Sequence, residues 1–149
     1  MYENEIAIGK YAPHFALPIV QGGKFELGQT LLQGPVVVNF IRGTWCEFCT
    51  KHLEKVLVWR DSLNPKMALK TTVVVVSSEP VEKTLSFLSS TPMPFLFLHD
   101  SRGLVAKNYK FQSEEDEYSR PAMVLIAPDR KIRLIDDGFK DQRKCFSCR

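Results

Sequence analysis

The stretch that most constrains this chain runs Val36-Val37-Val38-Asn39-Phe40-Ile41-Arg42-Gly43-Thr44-Trp45-Cys46-Glu47-Phe48-Cys49-Thr50-Lys51-His52-Leu53. Val36 to Ile41 is β-branched and aromatic, too short for a helix, and bounded by Gly34-Pro35 and Gly43, which reads as a buried strand. From Cys46 the spacing becomes helical. Cys49, Leu53, Val56, Leu57 and Leu63 fall on one side, with Lys51, Glu54, Lys55 and Arg60 on the other. The pattern predicts a strand, a tight exposed turn and a helix, with Cys46 at the helix N-terminus and Cys49 about one turn inside.

That placement has a chemical consequence. A helix N-terminus carries unpaired N–H groups and partial positive charge. Both favour thiolate over thiol, and the thiolate is the nucleophile. Two intervening residues let the sulfurs meet across one turn, so a disulfide there opens and closes readily. After a strand in a cytosolic chain, such a pair reads as a redox motif. The competing readings are half a zinc site or two inert buried thiols. Zinc needs a second ligand pair nearby. Cys145-Phe146-Ser147-Cys148 supplies one, but about 95 residues downstream, against the usual ~15–20.

The totals bound the rest. A chain of 149 residues fits one domain, 1–149, with a full-sized core. Its 44% hydrophobic and 25% charged residues are ordinary for a soluble protein, and a net charge of +3 is too small to argue for nucleic acid. Met1-Tyr2-Glu3-Asn4-Glu5 has acids where a signal peptide has bases, and no apolar run approaches the ~18 residues of a membrane span. The expected setting is the cytoplasm, without membrane contact. There, four cysteines in two Cys-x-x-Cys pairs suggest catalysis or metal rather than structural disulfides.

In chain order, His14 to Pro18 and Lys24 to Leu27 flank Gln21-Gly22-Gly23 as a hairpin. The cysteine helix ends near Asn64-Pro65. Thr71 to Ser77 is apolar without alternation, the habit of a parallel strand covered on both faces. Glu79-Pro80 opens a helix through Ser90, with Val81, Leu85 and Leu88 as its buried stripe. Phe95 to Leu98 is a short strand and Leu104 to Tyr109 a short helix, while Glu114 to Glu117 reads as a solvated loop. Ala122 to Ala127 is another buried strand, followed by a turn and an alternating edge strand, Ile132 to Ile135. This order predicts an α/β sandwich around a mixed sheet. Asp136 to Arg149 is polar and basic, and residues 139–149 read as a mobile tail carrying the second cysteine pair.

Three pieces of sequence carry a resemblance. Ala12-Pro13-His14-Phe15-Ala16-Leu17 is similar to an A-P-x-F-x-L opening. Phe40 to Cys49 resembles F-x-R-G-x-W-C-x-x-C, and Ser119-Arg120-Pro121-Ala122 stands where a proline precedes the strand facing the cysteines. Together they resemble the thioredoxin-like superfamily, and within it the AhpC/TSA branch that includes peroxiredoxins, over roughly residues 8–138. The resemblance implies a thioredoxin-like fold: a mixed central β-sheet, helices on both faces and an N-terminal β-hairpin extension. It implies a cis peptide at Pro121 against the cysteine pair, and Arg120 near the reactive sulfur. It implies no cofactor and no metal, a peroxide or disulfide substrate, and a thioredoxin-type or small-thiol reductant; an oligomer is compatible with it. Typical peroxiredoxins carry P-x-x-x-T-x-x-C; in that register the attacking cysteine is Cys49, with Arg42 and Cys46 at the proline and threonine positions. Asn39-Phe40 and Thr44-Trp45-Cys46 also resemble the TlpA/ResA group of thiol–disulfide oxidoreductases.

The leading function is peroxide reduction through a reversible Cys46–Cys49 disulfide. The alternatives are exchange with protein disulfides, and a non-catalytic redox sensor. The peroxiredoxin register names Cys49 as attacker, whereas helix-terminus physics prefers Cys46. Trp45 is expected beside the pair, Glu47 to oppose thiolate formation slightly, and His52 to lie exposed on the helix or to donate a proton. Cys145 and Cys148, flanked by Arg143, Lys144 and Arg149, are candidate relay thiols to an outside reductant; the rival readings are incidental thiols and a shared zinc site.

Overall fold

The computed structural model describes residues 6–112 and 120–136. Ala16–Pro18 (β1) and Lys24–Glu26 (β2) form the expected antiparallel hairpin. It closes on Gly22 and Gly23, both at positive φ, a region glycine enters without a side-chain penalty. A short helix, Leu27–Leu31 (α1), follows and had no periodic signal of its own. Val36–Phe40 (β3) leads to the long cysteine helix Glu47–Ser62 (α2), then to Pro65–Lys70 (α3). Pro65 both forbids continuation of α2 and starts α3, whose first turn is capped by the Asn64 side chain accepting from Met67 N–H. Thr72–Ser77 (β4), Val81–Ser90 (α4), Leu96–His99 (β5), Leu104–Asn108 (α5), Ala122–Ile126 (β6) and Ile132–Asp136 (β7) complete the described chain.

The main sheet has the order β5-β4-β3-β6-β7. β3, β4 and β5 are parallel, while β6 and β7 run antiparallel. The two parallel crossovers step in the same direction, so right-handed connections put α2 and α4 on the same face. The two apolar clusters agree. Val37, Ile41, Val73, Val75 and Phe97 meet Cys49, Leu53 and Val56 of α2, with Phe87 and Leu88 of α4 against them. On the other face Val38, Phe40, Val74 and Val76 meet the hairpin, α1 and α5 through Phe15, Leu31 and Val105. Being central and covered on both sides, β3 is buried at every residue, which is why its sequence carries no polar alternation.

The hairpin blunts the β5 edge, where unpaired strand groups would otherwise face water. Val20 N–H donates to Phe97 C=O at 2.7 Å, and the Gln21 amide bonds both Phe95 C=O and Phe97 N–H.

Two expectations need correction here. The buried face of α4 is centred on Thr84, not Leu85, which is 45% exposed. Thr84 turns inward because its hydroxyl finds the carboxylate of Glu79, and Phe87 packs near the ring of Phe97. In β6, Met123 and Leu125 are only half-buried; they line a cleft with Val56, Trp59 and Leu134. The acidic loop Glu114–Glu117, Ser119 and the second cysteine pair lie outside the described residues.

A candidate thiol redox site

The turn after β3 is held at several points. Ile41 N–H continues the ladder to Val76 C=O at 3.0 Å, and Cys46 N–H closes the turn on Gly43 C=O at 3.1 Å. The Trp45 indole folds over Gly43; a Cβ there would lie 2.3 Å from Nε1, so the glycine makes room for the ring. Trp45 itself is 50% exposed and is not core filling. The Arg42 guanidinium lies over its ring, 5.0 Å from the centroid.

Cys46 is the N-cap of α2 in extended conformation, and its sulfur accepts from Cys49 N–H at 3.4 Å. The side chain does the work usually done by serine or aspartate at this position. A negatively charged sulfur does it best, since it also meets the positive end of the helix. Cys49 is one turn inside and fully buried, and its sulfur accepts from Arg42 N–H at 3.4 Å. Both cysteines are free thiols. Cys46 is more enclosed than the sequence suggested, at 8% exposure, so access to its sulfur is narrow.

The two sulfurs are driven apart in acidity. The Cys49 S–H hydrogen bond leads in lowering Cys46 to about 6, helped by the Cys49 and Phe48 amides and the Arg42 charge, against burial, which raises it. Cys49 is pushed the other way, first because its proton is held in that hydrogen bond, then by burial and by the neighbouring negative charge. The arrangement therefore favours negative charge on the Cys46 sulfur and keeps the proton on Cys49. Glu47, expected to oppose this, points outward and pairs with Lys51 at 3.1 Å.

A thiolate of this acidity has a simple signature. The rate of Cys46 alkylation by iodoacetamide should rise about tenfold between pH 5 and pH 7 and then level off. Mass spectrometry of the Cys46 peptide reads it. A rate still climbing tenfold per unit above pH 7 would mean an ordinary thiol.

Behind the pair, His52 is buried rather than exposed. Its Nε2 lies 3.1 Å from Asn39 Oδ1, and Asn39 Nδ2 donates to Val74 C=O at 3.1 Å. Since the amide nitrogen is spent on Val74, Oδ1 is the acceptor and Nε2 carries the proton. Burial first, then the Lys55 charge, lowers His52 to about 4, so the imidazole is neutral at pH 7.

The cis bond expected at Pro121 is not found, and the Arg120 side chain makes contacts away from the cysteine cluster. No peptide bond among the described residues is cis, and Arg120–Pro121 is trans. Arg120 N–H donates to Phe111 C=O at 2.6 Å, which holds the approach to β6 extended. Its guanidinium donates to Lys110 C=O at 2.7 Å and lies 5.8 Å from the ring of Phe111. Phe111 packs on Phe40 in the cluster across the sheet from the cysteines. The cation whose charge acts on Cys46 is Arg42, at the position where typical peroxiredoxins carry proline. Sequence reasoning also missed Glu79. It was read as a helix start, yet its buried carboxylate grips the cysteine turn through Thr44. No local pattern marks it, because its partner is 35 residues away. Among the described residues, no three or more His, Cys, Asp or Glu side chains gather as a metal site would need.

A central strand feeding a helix capped by one half of a Cys-x-x-Cys pair, on a mixed sheet with helices on both faces, is a thioredoxin-like fold carrying the cysteine pair of a thiol-dependent oxidoreductase. The chain belongs to the AhpC/TSA family, whose pattern it matches over residues 8–135. Among curated proteins it is 28% identical to the thiol:disulfide interchange protein DsbE of Xylella fastidiosa, over 84% of this chain and 72% of that protein. It is 30% identical to the thiol-disulfide oxidoreductase ResA of Bacillus thuringiensis, over 87% of this chain and 69% of that protein. Its fold is similar to that of the peroxidoxin BcpB of Mycobacterium tuberculosis, with a TM-score of 0.74 at 23% identity, covering 94% of this chain and 95% of that one.

Proposed function

We propose that this protein reduces peroxides by a two-cysteine cycle in which Cys46 attacks and Cys49 resolves. The observation that carries the reading is the geometry of the pair: the Cys46 sulfur caps the helix and accepts from Cys49 N–H, with Cys49 fully buried one turn behind. At pH 7, Cys46 is roughly nine-tenths thiolate at a pKa of about 6. Its sulfur attacks one peroxide oxygen, the O–O bond breaks, and the departing oxyanion takes a proton and leaves as alcohol or water. Cys46 becomes a sulfenic acid. The Arg42 charge supports the developing oxyanion, the part expected earlier of Arg120. The Cys49 sulfur then displaces hydroxide from the sulfenic sulfur. Its proton leaves with that hydroxide as water, and the disulfide forms. A dithiol of thioredoxin type or a small thiol restores both cysteines by exchange. An antioxidant part in the cytoplasm is the setting this cycle fits.

The second reading is exchange with protein disulfides. It is favoured by the curated relatives, both of which are thiol–disulfide proteins. The first step is then attack on a sulfur and the leaving group a substrate thiolate.

The discriminating experiment is NADPH consumption with thioredoxin reductase and thioredoxin, offering hydrogen peroxide, an organic hydroperoxide or a disulfide-bonded protein. Saturable turnover on a peroxide is expected. Turnover confined to the disulfide substrate would replace peroxide reduction by the second reading, and none with any acceptor would leave a sensor.

A further inference from the structure

The cysteine turn is tied to the neighbouring strand by a buried carboxylate. Glu79 follows β4 and is 2% exposed. Its Oε1 accepts from Thr44 N–H at 3.0 Å, and the Thr44 hydroxyl lies 2.9 Å from each carboxylate oxygen. The Thr84 hydroxyl donates to Oε2 at 2.6 Å. Its partners among the described residues are thus neutral donors. A carboxylate is a costly anchor in such a place, stable only because its oxygens are bonded. An apolar group there would leave Thr44 N–H and the Thr84 hydroxyl without this acceptor.

What the anchor holds is informative. Two residues before Thr44, Arg42 directs its N–H at the Cys49 sulfur and its charge toward Cys46. Two residues after it, Cys46 caps α2. A shift of Thr44 would therefore move the groups acting on both sulfurs at once. Thr84, on the other side of Glu79, joins the same anchor to α4.

We propose that Glu79 is a positioning residue for the Cys46–Cys49 pair: by gripping Thr44 it keeps the Arg42–Cys46 turn in the geometry that stabilises the Cys46 thiolate. The proposal rests on the thiol-oxidoreductase reading above. Glu79 acts through the turn and not by its charge, since a nearby negative charge alone would disfavour the thiolate.

The test uses the full chain with Cys145→Ser and Cys148→Ser, so that ultraviolet thiolate absorbance reports the first pair. Cys46 alkylation by iodoacetamide is followed in parallel, and circular dichroism confirms folding. Glu79→Ala and Glu79→Leu, which both remove the acceptor for Thr44 N–H, should each raise the Cys46 midpoint by about one unit and slow alkylation at pH 6 about fivefold. Glu79→Gln should stay near wild type, because its amide oxygen still accepts from Thr44 and its NH2 can donate to Thr84. If Glu79→Ala fails to fold, Glu79→Leu carries the test, because it fills the space of the side chain while offering Thr44 no acceptor. A low midpoint unmoved in the folded Glu79→Ala or Glu79→Leu protein overturns the proposal alone. A lowered midpoint in Glu79→Gln overturns it in favour of a charge effect. An ordinary thiol midpoint in the parent overturns this proposal and the Cys46 assignment together.

Discussion

Cys46→Ser should lose turnover with every acceptor, by about a thousandfold or more, because a hydroxyl cannot replace the only acidic nucleophile of the pair. Cys49→Ser should behave differently. It keeps a hydroxyl donor where the Cys49 S–H stood, so much of the hydrogen bond that favours the Cys46 thiolate survives. The first chemical step should then proceed once and stop. With peroxide, one equivalent is consumed and a sulfenic acid accumulates at Cys46, where dimedone labels it. With a disulfide substrate, a mixed disulfide to Cys46 persists. Catalytic turnover falls to background in both variants, but only Cys49→Ser retains the burst. The reverse pattern, a burst in Cys46→Ser, would restore the peroxiredoxin register with Cys49 attacking. The structure argues against that order because Cys49 is fully buried and holds its proton, while Cys46 sits at the helix end.

The second large effect concerns stability. His52 is lowered from 6.5 to about 4 by burial and Lys55, so the folded state prefers it neutral. A depressed imidazole means that the unfolded chain binds more protons between about 4 and 6.5, and stability rises with pH across that window. The contribution is complete above about 6.5 and lost as pH falls through about 4. At about 1.4 kcal/mol per unit, the loss is about 3 kcal/mol. His52→Gln keeps an N–H donor for Asn39 Oδ1 but cannot titrate. Urea unfolding from pH 7 to pH 4 should show the wild type weakening by about 3 kcal/mol more than the variant. Parallel losses in the two proteins would mean that His52 is charged, or unburied, in the folded state.

Local spacing was enough for much of this molecule. A run of β-branched residues between Gly34-Pro35 and Gly43 has few options besides a buried strand, and a cysteine pair opening a helical stripe places Cys46 at a helix cap. Pro65 marks a helix boundary by its missing N–H, and the glycine pair after Gln21 marks a hairpin. These features depend on neighbours within a few residues, so they are written in the order of the chain. The short helix Leu27–Leu31 left no such mark, because one and a half turns hold too few residues to show a period.

What the sequence by itself determined is therefore the succession of strands and helices, the Cys46–Cys49 pair and the thiol chemistry open to such a pair. The tertiary structure decided how that pair is tuned. Arg42 rather than Arg120 supplies the charge, because the guanidinium of Arg120 is taken up by Lys110 C=O and the Phe111 ring across the sheet. His52, which charge and position alone would place at the surface, is turned inward onto Asn39. Glu79 and Thr84 become an anchor for Thr44 because parallel pairing brings the ends of β3 and β4 side by side. Each of these contacts joins groups that only the packing of the sheet and its helices brings within hydrogen-bond reach, and a hydrogen bond, unlike a hydrophobic period, has no signature until both partners are in place.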